Sequence, residues 1–109
     1  MRLSALVTGA ALCSATLALA NEHETKMQDH PYIGMWITAD GHIRQELLPN
    51  GRYDEARGTR KSAYQGRYEV TGDHIEYWDD TGFTADGDFV DGNVLHHGGM
   101  IFYRDGKRE

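Results

Sequence analysis

The chain has 109 residues, 17 acidic and 11 basic, with one cysteine. Arg2 and Cys13 both lie within the first twenty, so the remaining 89 residues carry a net charge of −7 (17 acidic against ten basic) and no thiol. That acidity excludes nucleic acid as a partner, because phosphates select clusters of Lys and Arg. It equally excludes a polybasic membrane patch, and without thiols no disulfide or cysteine chemistry is available.

Residues 1–20 have the pattern of a secretory signal peptide. Arg2 supplies the basic start, Leu3 to Ala20 is uncharged, and Ala18-Leu19-Ala20 places small residues at −3 and −1. The Ala, Ser, Thr and Gly content makes the stretch a poor bilayer anchor, and Leu12 stands where a lipoprotein signal before Cys13 wants a small residue. Cleavage after Ala20 is therefore expected, with a periplasmic or secreted product that has no membrane attachment. Residues 21–31 are polar and predict a flexible leader, and 106–109 a short tail. All eleven aromatic residues fall after the signal, which suits a packed domain over residues 32–105. Some ninety residues close only one modest core.

Turn signals recur along this domain. Asp40-Gly41, Asn50-Gly51, Thr71-Gly72, Asp91-Gly92 and Asp105-Gly106 are hairpin-type pairs separating short β-rich runs. They predict eight strands: Ile33–Thr38, His42–Leu48, Arg52–Arg57, Tyr64–Val70, His74–Trp78, Phe83–Ala85, Phe89–Leu95 (broken near Asp91-Gly92) and Met100–Arg104. Asp86-Gly87-Asp88 is expected to separate the sixth from the seventh. No gap holds a crossover helix, so neighbours pair antiparallel, and closure removes exposed edges. The expected fold is all-β, a single eight-stranded antiparallel up-and-down barrel with room inside for side chains or one small ligand.

The period of two assigns faces. Ile43, Gln45 and Leu47 share one side of their strand, Tyr64, Gly66, Tyr68 and Val70 the core side of theirs, and Ile75 and Tyr77 oppose His74, Glu76 and Trp78. Trp78 is thus expected outside. For Arg52–Arg57 two registers stand open: Tyr53, Glu55 and Arg57 inward, or Arg52, Asp54 and Ala56. Either places charge within the barrel. In the last strand, hydrophobicity does not choose between Met100, Phe102 and Arg104 and the opposite set.

Gly34-Met35-Trp36 on the first strand, with Arg104 closing the last, resembles the Gly-x-Trp and terminal Arg of lipocalin-like barrels. In that group the Trp plugs the closed end and the basic side chain packs across it. Longer matches are more specific: His42-Ile43-Arg44-Gln45-Glu46-Leu47-Leu48-Pro49-Asn50-Gly51-Arg52-Tyr53-Asp54-Glu55-Ala56-Arg57-Gly58, then Ala63-Tyr64-Gln65-Gly66-Arg67-Tyr68, Asp79-Asp80-Thr81-Gly82-Phe83-Thr84-Ala85-Asp86-Gly87, and Gly99-Met100-Ile101-Phe102-Tyr103-Arg104. Over Tyr32 to Arg104 these resemble a family of small uncharacterised Agrobacterium-type proteins with a streptavidin-like (lipocalin-like) barrel. The resemblance implies the fold, structural roles for Gly34, Trp36 and Arg104, and ligand binding as the suggested use. No biotin-site layout maps onto the chain.

Tyr53, Glu55, Arg57, Tyr64, Tyr68 and Tyr77 form a polar-aromatic set for one cavity, with Arg57 to hold an anionic group and the tyrosines to stack or donate hydrogen bonds. Asp79, Phe83 and His97 complete the expected ligand-binding residues, Asp79 and Asp80 capping a turn that feeds Phe83 into the barrel mouth and His97 standing near the opening. The Asp-rich stretch 79–88 lacks the ligand register of a calcium loop. His96 and His97 point to opposite faces, so no metal or other cofactor is expected, and no Ser–His–Asp constellation is evident. The leading expectation is an exported barrel that binds a small polar or aromatic molecule. Two alternatives stand beside it: acid-base proton transfer with Glu55 as base and Tyr68 or Tyr77 as donor, as in isomerases or cyclases, and inhibition of a protein partner through Gly58–Ala63 or Trp78.

Overall fold

A computed structural model describes residues 29–106. The expected signal peptide, most of the leader and residues 107–109 lie outside the described residues. Eight strands, β1 (Gly34–Thr38), β2 (Ile43–Leu47), β3 (Arg52–Arg57), β4 (Arg60–Thr71), β5 (His74–Asp79), β6 (Thr84–Val90), β7 (Val94–His97) and β8 (Met100–Arg104), pair antiparallel in sequence. β8 returns to β1 through Trp36↔Arg104 and Thr38↔Phe102, so the barrel is closed and no strand edge is left bare. Alternation decides the faces as expected on β2, β4 and β5. On β3, Tyr53 and Glu55 are buried with Arg57 beside them, and on β8 the inward set is Met100, Phe102 and Arg104.

Three boundaries differ from expectation. β6 does not stop at Ala85 but runs straight through Asp86-Gly87-Asp88. Gly87 takes no positive φ there; its missing Cβ instead allows close approach to β7, since a Cβ would lie 2.5 Å from the His96 carbonyl oxygen. The break expected near Asp91-Gly92 is a full hairpin turn, with Asp91 at φ 65° and Gly92 at φ 75°, so Phe89 and Val90 belong to β6 and Val94 and Leu95 to β7. β4 starts at Arg60, so the expected loop Gly58–Ala63 shrinks to a tight turn followed by a bulge. The register shifts between Glu55 and Arg57, and Ser62 on the facing strand has φ 50°.

In an up-and-down barrel alternate turns share an end. The turns β2–β3, β4–β5 and β6–β7, with the segment that enters β1, form one end, and it is filled. Trp36 is fully buried, its indole N–H donates to the Tyr32 carbonyl at 2.9 Å, and Tyr32 stacks on Phe89 at 3.7 Å between centroids. The Arg104 guanidinium lies 4.7 Å from the Trp36 ring and donates to the Asn93 side chain and to the Gly92 and Pro31 carbonyls. Gly34, at φ 128°, occupies a conformation that only glycine adopts readily and turns the entering chain across this end.

His30 and Pro31, expected in the leader, are also fastened here. Tyr32 N–H donates to His30 Nδ1 at 3.1 Å, which places the ring proton of the neutral histidine on Nε2, 2.8 Å from the Tyr68 hydroxyl. Tyr68 in turn donates to the Leu48 carbonyl at 2.7 Å.

Candidate functional site

The other end is open, and β6 is the reason. Its inward residues are Ala85, Gly87 and Phe89; Phe89 fills the closed end, β7 closes onto the bare Gly87 backbone, and small Ala85 leaves the mouth unfilled on that side. The gap lets His97 of β7 reach across to the Tyr77 ring of β5, centroids 4.5 Å apart. A cavity of about 170 Å³ remains, lined by Gln45, Tyr53, Glu55, Arg57, Tyr64, Tyr77, Phe83, Ala85 and His97.

Its floor is a chain of hydrogen bonds. The Tyr77 hydroxyl donates to Gln45 Oε1 at 2.6 Å, Gln45 Nε2 donates to Glu55 Oε1 at 2.9 Å, and Arg57 Nε donates to Glu55 Oε2 at 2.8 Å. Gln45 and Glu55 are both buried, and among the described residues no buried side-chain polar atom lacks a partner. The charge that the strand pattern places inside the barrel is therefore satisfied by the protein itself and needs no ligand for stability. Burial, reinforced by the nearby Glu55, Tyr53 and Tyr68, pushes the Tyr77 phenol well above its usual range, although its bond to Gln45 works the other way. Tyr77 thus stays a neutral donor. Both Glu55 oxygens already accept a hydrogen bond, which makes this carboxylate an anchor for Gln45 and Arg57.

Aromatic rings wall the opening. Tyr64 meets Phe83 edge-on at 5.9 Å, Tyr53 meets Tyr77 edge-on at 5.1 Å, and the Arg57 guanidinium covers Tyr64 at 4.8 Å. Among the described residues no group of His, Asp and Glu is arranged to hold a metal ion.

A family model described as Agrobacterium tumefaciens protein Atu4866 matches residues 29–104. The chain belongs to the Atu4866 family. A solution structure of the protein Atu4866 from Agrobacterium tumefaciens is 82% identical to it, with a TM-score of 0.64, and the match covers 72% of this chain and 99% of that one. No curated protein matches the chain. The resemblance seen in the sequence is thus to the right family.

Within this Atu4866-family barrel, seven of the nine expected ligand residues converge: Tyr53, Glu55, Arg57, Tyr64, Tyr77, Phe83 and His97. Tyr68 and Asp79 do not. Tyr68 faces inward, but its hydroxyl leans to the closed end and is used by Leu48 and His30. Asp79 holds the β5–β6 turn, accepting from the Thr81 backbone and hydroxyl, while its other oxygen accepts from Tyr53 at 2.7 Å. Burial acts to raise the Asp79 carboxyl, but these bonds and the Arg52 charge outweigh it and hold it below the usual range. Its bond, after burial itself, helps push the Tyr53 phenol up. Trp78 lies outside the barrel as expected, with Arg67 4.2 Å over its ring.

Two lining residues were missed. Gln45 carries the signal of a polar side chain at an inward position between Ile43 and Leu47. Ala85 offers none by itself, because its importance lies in being small.

Proposed function

We propose that the protein is exported and binds a small polar or aromatic molecule at the open mouth of its barrel. The observation that carries this reading is the 170 Å³ cavity with a hydrogen-bonded floor and aromatic walls. Few placed polar groups among aromatic side chains are what orient a small ligand, and the volume corresponds to about five or six waters at liquid density. Export is supported by the Arg2 to Ala20 pattern.

A thermal-shift screen with a library of small metabolites tests binding, since a ligand of the native state raises the melting temperature. Wild-type protein is expected to give hits that Tyr77→Phe and Arg57→Ala weaken. No hit at millimolar concentration, or hits untouched by both substitutions, would contradict the reading. Export is tested separately by mass spectrometry of periplasmic and culture fractions, where the chain is expected to begin at Asn21.

A further inference from the structure

We propose, resting on the ligand-binding reading above, that the mouth selects small planar aromatic monocarboxylates. The carboxylate is taken by the terminal nitrogens of Arg57 and the ring by the aromatic walls.

Arg57 is held in place yet unspent. Its Nε donates to Glu55 and its guanidinium rests on Tyr64, which together fix the plane of the fork. No hydrogen bond of its two terminal nitrogens is recorded among the described residues, and the side chain is 37% exposed at the cavity. A rigid, half-exposed guanidinium edge matches a carboxylate with two parallel bonds.

A cation is disfavoured by the same groups. Glu55 is the carboxylate of the pocket lining, it is buried, and both its oxygens are occupied by Gln45 and Arg57. One face of Tyr64 already carries Arg57 and is closed to an ammonium. A positively charged ligand would meet the exposed edge of a guanidinium whose carboxylate partner, Glu55, is buried. A second carboxylate would be driven toward Glu55. The ring requirement follows from Phe83, Tyr77 and His97, whose faces and edges offer a flat aromatic group contact that an aliphatic acid does not use.

The test titrates the full chain with benzoate, benzamide, benzyltrimethylammonium and acetate, followed by calorimetry and by NMR shifts of the mouth residues. Benzoate is expected to bind about tenfold or more tighter than each of the others, the size of one charge-assisted pair. R57Q is expected to erase the preference of benzoate over benzamide while benzamide binding persists, and R57K to keep a reduced preference. If benzamide or the ammonium binds as well as benzoate, the class is wrong and the binding mouth stands. If acetate equals benzoate, the aromatic requirement is wrong. If none of the four binds although the library screen gives hits, the class is overturned alone. If the screen is also empty, both readings fall.

Discussion

Each end of this barrel sets an arginine on an aromatic ring, and the two do opposite things. At the closed end Arg104 covers Trp36 at 4.7 Å and spends its donors on Asn93, Gly92 and Pro31, tying β8, a hairpin turn and the entering chain together. At the mouth Arg57 covers Tyr64 at 4.8 Å but has Glu55 as its recorded partner. The surroundings differ in the same sense. Tyr32, Trp36 and Phe89 fill one end, whereas small Ala85 leaves the other unfilled. A barrel of this size thus acquires a pocket less by adding polar groups than by withholding bulk from one strand.

Mutations should reveal the same asymmetry. Trp36→Ala is expected to cost about 3–5 kcal/mol in urea unfolding, because it empties a fully buried site, and that is a large share of a small domain's stability. Arg104→Ala should cost less, roughly 1–2 kcal/mol, and the double variant should lose less than the two losses added, since they break one shared contact. Additive losses would mean that the clamp is not a unit.

Gly66→Ala comes next, at about 1–3 kcal/mol. Its Cβ would lie 2.3 Å from the Trp78 carbonyl oxygen and 2.9 Å from the Tyr53 ring, and the backbone atom cannot step aside cheaply. A neutral result would show that β4 and β5 do not approach so closely.

At the mouth, Tyr77→Phe should cost about 1–2 kcal/mol, because it orphans the buried Gln45 oxygen. In a double-mutant cycle with Gln45→Leu, which removes the orphan but also strips Glu55 of a donor, the double variant is expected to lose less than the two single losses added. No coupling between the two positions would remove the hydrogen-bonded floor from the account.

The smallest effects are those of pH, and two histidines oppose each other. Burial lowers the His30 pKa below its ordinary 6.5, despite Asp29. As pH falls below about 6.5 the unfolded chain takes up the proton first, so the closed end loses stability on acidification, the full loss being reached below the folded-state pKa. His74 lies outside, where a bond to Asp88 and the nearby Asp86 and Glu76 raise its pKa. Its contribution is full below 6.5 and is lost as pH rises through the raised value. His30→Gln should flatten the acid side of the stability profile and His74→Gln the neutral-to-alkaline side. Reversed signs would contradict both placements.

Much of the fold could be read from the residues. Turn pairs bounded β1, β2, β3, β5 and β8 closely, and period-two alternation assigned the faces of β2, β4 and β5 while leaving β3 and β8 open. It failed at β6 and β7 because Asp86-Gly87-Asp88 has the composition of a turn, while the reason for Gly87, the nearby His96 backbone, exists only once strands pair. The candidate site shows a second limit. Alternation gives the face a side chain points to but not its height along the barrel. Tyr68 and Tyr77 sit opposite each other in register, yet one hydroxyl reaches Leu48 at the closed end and the other Gln45 under the mouth. Asp79 caps its turn as expected, but its other oxygen is taken by Tyr53, a partner that strand periodicity does not report.

The central claim is that β6 leaves real space at the mouth, and Ala85→Leu tests it most directly. Ala85 lines the cavity, so the larger side chain should enter the void without displacing its neighbours. Urea unfolding of this variant is expected to give a stability within about 1 kcal/mol of the parent or above it, whereas forcing methylenes into a filled core costs about 1–3 kcal/mol. A loss of that size would mean that the mouth is packed as the closed end is, and the pocket would not exist.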